Sequence, residues 1–149
     1  SVVNMLEMTG AYGTIADRGI WHKPRVIKRV YDTTNCNLKQ ISTCRVMYDY
    51  ANDTQSSRRV LRADLADTLT TMMRGVVTNG TGKNAAIGLG EVGKTGTTDD
   101  NVDLWFIGFI PDKKVVTGIW LGNDNNSPTK GSSAQAAQLW GNYMGSVFR

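Results

Sequence analysis

Residues 88–98, GLGEVGKTGTT, place one lysine inside two different sequence signatures. Residues 88–95 fit G-x-x-x-x-G-K-[ST], the loop that cradles phosphates in nucleotide hydrolases. Lys94 to Gly96 also spell Lys-Thr-Gly, a tripeptide used by some serine enzymes. A phosphate loop needs a helix that begins at the Lys-Thr pair, so that its amides face the phosphates. The conformation of residues 94–104 therefore decides which fold the chain can form.

The flanking sequence favours a strand at Lys94. The preceding residues, GTGKNAAIGLG, are rich in glycine and poor in β-branched side chains. The following residues, TGTTDDNVDLWFIGF, put glycine, threonines and aspartates where a helix would have to begin. A strand ending in IWLGND could supply a metal-binding aspartate, but so short a chain leaves little from which to build a parallel sheet. A nucleotide-binding phosphate loop remains only a remote alternative.

The rest of the pattern predicts an α/β (α+β) fold, an antiparallel sheet with flanking helices. EVGKTGTT, DLWFIGFIPD and KKVVTGIWLGND form a meander, with a turn at Pro111 to Lys113. Residues 25–32 and 44–50 predict a hairpin with the cysteines at its tip. Helices are predicted over 3–17, with Gly19 as the stop, over 62–78 and near the C-terminus. The apolar stripe of the 62–78 helix, assigned to the core, consists of Leu65, Leu69, Met72, Met73 and Val76. The C-terminal helix carries its apolar residues on one side, namely Ala136, Leu139, Trp140, Tyr143 and Met144.

Composition excludes several classes of protein. The 149 residues suffice for one domain. The net charge of +4 comes from scattered basic residues, which indicates a solvated surface and not a nucleic-acid partner. No apolar run reaches the length of a membrane span, and the chain opens directly on a helical pattern, as if cut from a longer one. Cys36, Cys44 and the single His22 do not make a metal site; the cysteines are either two thiols or one disulfide.

A strand carrying Lys-Thr-Gly-Thr suits acyl transfer. Side chains alternate on a strand, so Lys94 and Gly96 share one face while Thr95 and Thr97 share the other. The lysine supplies a cation near a nucleophile, and the hydroxyls can bind a carboxylate. A backbone N–H of such a strand can stabilise the developing oxyanion, which is typically worth ~3 kcal/mol of barrier. Gly96 leaves room for another element to approach closely.

Further motifs occur in a fixed order along the chain. They are V-V-x-x-G-T-G-x-x-A (76–85), KTGTT (94–98), D-x-W-F-x-G-F-x-P-D (103–112), I-W-x-G-N-D (119–124) and A-A-x-x-W-x-x-x-M (136–144). Together they resemble the C-terminal part of the transpeptidase domain of penicillin-binding proteins, most closely the high-molecular-weight, bifunctional class A type. MLEMTGAYGTIADRG (5–19), followed by Pro24, resembles an earlier segment of the same domain. The cysteine segment and Gln138, where the family often has proline, are departures.

The resemblance implies a peptidoglycan D,D-transpeptidase that works through an acyl-serine intermediate. Lys94 would polarise a relay serine, and the Thr97 amide would form half of the oxyanion hole. Thr95, Gly96 and Thr97 would bind the substrate, with the two hydroxyls on the carboxylate of a stem peptide or a β-lactam. No metal or organic cofactor and no nucleic acid is expected. The parent would be anchored in the bacterial membrane with this domain on the extracytoplasmic, periplasmic face, a location that favours a Cys36–Cys44 disulfide.

The family's other two motifs, Ser-x-x-Lys and Ser-x-Asn, are not convincing here. Ser127 to Lys130 lies after the Lys-Thr-Gly strand instead of before it, and Tyr50 to Asn52 falls on the predicted hairpin, so both are interpreted as accidental. Residues 1–149 are then the C-terminal part of one transpeptidase domain, inactive alone and dependent on its upstream half as a partner. A β-lactamase-type hydrolase is one alternative. A class A β-lactamase deacylates through a water activated by a glutamate, but Glu7 and Glu91 are the only glutamates and neither lies in a Glu-x-x-x-Asn pattern. A non-catalytic wall-binding module is another.

Overall fold

The computed structural model describes residues 3–53 and 56–148. The chain divides into two compact units: unit 1 is Ser1–Trp21 with Arg59–Arg149, and unit 2 is His22–Arg58. The helices and strands of the described residues are α1 (Met5–Ala16), β1 (Ile20–His22), β2 (Arg29–Asp32), β3 (Arg45–Asp49), β4 (Ser57–Arg59), α2 (Ala63–Thr78), β5 (Val92–Thr97), β6 (Leu104–Ile110), β7 (Val115–Leu121) and α3 (Ser133–Phe148).

The predicted meander is confirmed as the sheet of unit 1. Its strand order is β5-β6-β7, and both pairings are antiparallel. Gly96 lies opposite Trp105, which in turn lies opposite Trp120. Lys94 is in a strand, and only a short 3-10 turn, Asp99–Asn101, separates β5 from β6. The phosphate-loop interpretation is therefore wrong, because no helix begins at the Lys-Thr pair.

Helix α1 is defined at both ends by its sequence. The Asn4 side chain accepts a hydrogen bond from the Glu7 amide, and the Glu7 carboxylate accepts one from the Asn4 amide. This reciprocal capping box satisfies amides that have no partner within the helix. Gly19, at φ +89°, follows the last turn. The predicted helix and its stop are confirmed.

Helices cover both faces of the sheet. On one face, Phe106 and Ile110 pack against Trp140 and Met144 of α3, and the Trp140 indole donates to the Thr117 carbonyl at 3.0 Å. The other face is covered by a second apolar cluster. Its members are Val92, Phe109 and Met73, with Tyr12, Ile15, Ala16 and Val116 at its margin. The strand that carries Lys94 is thus held between two packed layers.

The predicted core stripe of α2 is largely wrong. Leu65, Leu69 and Met72 are exposed, while Met73 is buried. The other buried side chains of the helix are Ala66 and Val77. Both sets have helical spacing and lie side by side, so periodicity alone cannot choose between them.

Only part of the apolar side of α3 is buried. Ala136, Trp140 and Met144 are fully buried, but Leu139 and Tyr143 are about half exposed. The helix rests on the sheet along a narrower strip than its apolar residues would allow. Ala136 and Ala137 lie in that strip, and their small side chains permit close approach to the sheet.

Unit 2 contains the predicted hairpin. β2 and β3 pair antiparallel, with a register shift between Val30 and Tyr31, and both strands are shorter than predicted. Cys36 and Cys44 form a disulfide at its end, so the predicted bond is confirmed. Tyr50 is buried beneath the Arg25 guanidinium, which lies 4.1 Å from the ring centroid.

Within residues 3–53 and 56–148, no helix is both long and apolar enough to cross a membrane. The same residues contain no cluster of three or more histidine, cysteine, aspartate or glutamate side chains that could hold a metal ion.

Candidate active site

The edge of the sheet at β5 exposes backbone groups of the Lys-Thr-Gly segment. Among the residues that the structure describes, β5 has a hydrogen-bonded neighbour, β6, on one side only. The Thr98 amide donates to the Asp103 carbonyl at 3.1 Å, toward the β6 side. Amides of successive strand residues point to opposite sides. The amide of Thr97 and the carbonyl of Thr95 therefore face the open edge.

The Lys94 ammonium lies on this edge. Its Nζ atom donates to the Thr95 carbonyl oxygen at 2.9 Å. An ammonium has three protons to donate, so this single bond fixes its position and leaves donors for another acceptor. A cation and an outward-facing amide, that of Thr97, are thus brought together on one strand edge.

The two threonine hydroxyls differ in their surroundings. Thr97 is exposed, whereas Thr95 is only 8% exposed. The Thr95 hydroxyl lies 2.6 Å from the hydroxyl of Thr81, in the turn after α2. Thr97 therefore offers an accessible hydroxyl, and Thr95 offers one that already has a protein partner.

An open cleft of about 600 Å³ runs along this edge. Residues 94–98 form one wall, and Met8 and Tyr12 of α1 contribute to another. Burial raises the pKa of the Tyr12 phenol. The lining thus includes a cation, hydroxyls and apolar side chains, together with the Asp103 carboxylate, which already accepts hydrogen bonds from protein donors. The Lys94 end of the cleft suits the anionic end of an extended ligand.

A hydrogen-bonded clamp closes the far end of β5. Asp103 accepts from the Trp120 indole at 2.8 Å and from the Thr98 hydroxyl at 3.2 Å. The Asp103 amide in turn donates to the Thr98 hydroxyl at 2.8 Å. Asp103 and Thr98 also line the cleft. In the sequence, D-x-W-F is only a mark of family resemblance, and nothing in the pattern predicts a role for these residues.

Gly96 is favoured by the close approach of its cross-strand neighbour. A Cβ atom at this position would lie 3.3 Å from the Cβ of Trp105, a closer contact than side chains normally make. The Trp105 ring lines the cleft and packs at a tilt on Trp120, with ring centroids 6.5 Å apart. The predicted close approach at Gly96 is therefore made by a tryptophan of the adjacent strand.

Glu91 holds the segment that leads into β5. Its carboxylate is buried and accepts hydrogen bonds from the amides of Ile87, Gly88 and Leu89, at 2.5, 3.1 and 2.8 Å. Burial raises the pKa of Glu91, but the backbone amides lower it by more, so the pKa lies below its usual value. This glutamate organises a loop and does not point to a reacting group.

The two rejected motifs lie outside the cleft. Residues 127–130 are not helical, so Ser127 and Lys130 do not share a helix face as a Ser-x-x-Lys pair must. The Tyr50 hydroxyl lies within hydrogen-bonding distance of the carbonyls of Lys23 and Ser56, all within unit 2. No serine or cysteine is among the described residues that line the cleft.

Comparisons of the sequence show which known proteins this chain resembles. The family model of the penicillin binding protein transpeptidase domain matches residues 2–145. The chain is 35% identical over 144 residues to penicillin-binding protein 1A of Clostridium botulinum, covering 95% of this chain and 16% of the relative. It is 33% identical over 152 residues to penicillin-binding protein 1A of Aquifex aeolicus, covering 99% and 19%. The chain thus spans about a sixth to a fifth of the length of these relatives.

Solved structures share the fold. The imipenem acyl-enzyme complex of penicillin-binding protein A from M. tuberculosis superimposes with a TM-score of 0.70 at 21% identity, over 99% of this chain and 32% of that one. Penicillin-binding protein 1A from Haemophilus influenzae gives a TM-score of 0.71 at 20% identity, over 97% and 26%.

Proposed function

This chain belongs to the penicillin-binding protein transpeptidase family, and on that premise we propose that it forms the Lys-Thr-Gly wall of a serine-type peptidoglycan D,D-transpeptidase. The observation that carries the proposal is the free edge of β5. There the Lys94 ammonium and the outward-facing Thr97 amide border one cleft. A cation and an edge amide are what an acyl-transfer site requires from this strand.

The proposed reaction has two steps. A serine hydroxyl attacks the carbonyl between the last two residues of a stem peptide, the C–N bond breaks, and the terminal D-alanine leaves with a proton. An amine of a second stem peptide then attacks the acyl-serine ester, forms the cross-link and returns the proton to the serine oxygen. Lys94 organises the proton transfers, and the Thr97 amide stabilises the oxyanion, typically worth ~3 kcal/mol.

The terminal carboxylate of the substrate binds at the end of the cleft that carries the threonine hydroxyls. The accessible Thr97 hydroxyl donates to it directly, and Thr95 supplies a second hydroxyl. A β-lactam presents a carboxylate and a reactive carbonyl in a similar relation, so the same contacts bind it. Acylation by penicillin is therefore the practical assay of the site.

The serine comes from the upstream part of the same domain. The described cleft residues include neither serine nor cysteine, and the chain covers about a third of the penicillin-binding protein A structure. We infer that residues 1–149 are the C-terminal part of one domain and are inactive alone. We place the parent on the membrane with this domain outside the cytoplasm, where the Cys36–Cys44 disulfide is stable.

The test is labelling of the full-length protein by fluorescent penicillin. Lys94→Ala should slow acylation by roughly 10²-fold or more, because proton organisation is lost. The exposed Lys83, outside the cleft, provides the matched control, and Lys83→Ala should label at the rate of the unaltered protein.

Residues 1–149 alone should remain unlabelled, and adding the upstream part should restore labelling if the two associate. Normal labelling of the Lys94→Ala protein would refute the proposal. Rapid turnover of the label without cross-linking would indicate a β-lactamase-type hydrolase. If the unaltered full-length protein is not labelled at all, a non-catalytic wall-binding module is the remaining interpretation.

A further inference from the structure

The turn after α2 holds one hydroxyl in a fixed place. The amides of Gly80 and Gly82 both donate to the Val76 carbonyl, at 3.1 and 3.0 Å. A Cβ on Gly80 would lie 2.9 Å from the Val76 backbone, and one on Gly82 would lie 3.0 Å from the Phe106 ring. The turn is therefore so compact that a side chain at either glycine would crowd a neighbouring residue. Thr81, between the two glycines, has little freedom to move.

The Thr81 hydroxyl reaches the active-site strand. It lies 2.6 Å from the hydroxyl of Thr95, and the geometry allows either oxygen to be the donor. Each hydroxyl has a single proton. If Thr95 gave its proton to Thr81, it would have none for a ligand. If Thr81 is the donor, the Thr95 proton is available for another acceptor.

An anionic ligand decides between these two arrangements. A carboxylate only accepts hydrogen bonds, so Thr95 can bind one only while Thr81 donates to Thr95. The bond to a charged acceptor is stronger than one between two neutral hydroxyls. A hydroxyl that receives a hydrogen bond is also polarised into a better donor. Binding of a carboxylate therefore favours the arrangement in which the Thr81 hydroxyl donates to the Thr95 hydroxyl.

We propose that Thr81 is a positioning residue, whose hydroxyl donates to Thr95 and directs the Thr95 proton to the substrate carboxylate. This inference rests on the proposed function. It adds a residue that is outside the Lys-Thr-Gly motif and outside the cleft lining. Thr81 acts only through Thr95, so its contribution depends on the charge of the ligand.

The experiment compares two ligands of the full-length protein. One is a penicillin with its free carboxylate, and the other is the methyl ester of the same penicillin, which lacks the anion. Thr81→Val deletes the hydroxyl at nearly constant shape, and the rate constant of acylation by the free acid should fall about three- to tenfold, the effect of one hydrogen bond. Acylation by the ester should change less than twofold. Thr81→Ser should restore the rate for the free acid.

Thr71 provides the matched control, since its exposed hydroxyl bonds only within α2, to the Asp67 carbonyl at 3.0 Å. Thr71→Val should leave both rates unchanged. Thr81→Ala serves as a second deletion if the valine disturbs the turn, and the melting temperature of each variant checks the fold.

Equal slowing of both ligands by Thr81→Val and Thr81→Ala would mean that Thr81 only supports the fold, and would overturn the inference. Unchanged rates with the free acid would overturn it as well. If neither ligand labels the unaltered protein, the proposed function itself fails, which is a different result from labelling that is insensitive to Thr81.

Discussion

At the scale of single residues, Glu91 links the stability of the active-site strand to pH. Its carboxylate is buried on three backbone amides, and its pKa lies below the ordinary value. The unfolded chain binds this proton more readily, so the stabilisation is complete above the ordinary pKa of ~4.3 and is lost as pH falls through the folded pKa. Glu91→Gln should cost about 1 to 3 kcal/mol at pH 7 and much less in acid. Urea unfolding at pH 7 and pH 3 measures this, with the exposed Asp112→Asn as control. A constant cost at both pH values would contradict the argument.

At the scale of elements, α2 shows which side of a helix contributes to the core. Met72 is 66% exposed and Met73 is 8% exposed. Met73→Ala should reduce the free energy of unfolding by about 2 to 5 kcal/mol, because it leaves a cavity beside Val92 and Phe109. Met72→Ala should change it by less than about 0.5 kcal/mol. The two variants of the 149-residue chain can be compared by urea denaturation. Equal losses would mean that α2 packs differently from the arrangement described.

Some of these elements could be predicted from the sequence and others could not. The meander was predictable because alternation and a proline turn are local signals, and they also placed Lys94 and Thr97 on a strand. The buried side of α2 was not, because two adjacent stripes satisfy one helical period. The clamp of Asp103 and Trp120 was also missed, since it depends on the register between β6 and β7. The register of a hairpin is fixed by its turn type and loop length, and the sequence predicted only the position of this turn.

At the scale of the whole molecule, the two units differ in what stabilises them. The two apolar clusters belong to unit 1, whereas Cys44 and Tyr50 are the buried hydrophobic residues among the described part of unit 2. Unit 2 therefore depends more on its disulfide, which closes a short loop and contributes about 2 to 3 kcal/mol. Replacing both Cys36 and Cys44 by serine should speed hydrogen exchange in residues 29–49 and leave β5 to β7 protected. Two alkylatable thiols in the unreduced protein, or equal loss of protection in both units, would contradict this.

The open edge of β5 has a consequence for solubility. An unpaired strand edge is a template on which a second copy of the chain can add its own strand, and a charged lysine is a common protection against such pairing. Under the proposed function the six-residue edge has to admit a substrate, so it cannot be covered. An antiparallel pairing of two copies centred on β5 would bring the two Lys94 ammonium groups near each other and would be opposed by their repulsion. The charge proposed to serve the reaction thus also disfavours such pairing, and a Lys94→Ala sample must be shown to be monomeric before slow acylation is attributed to chemistry.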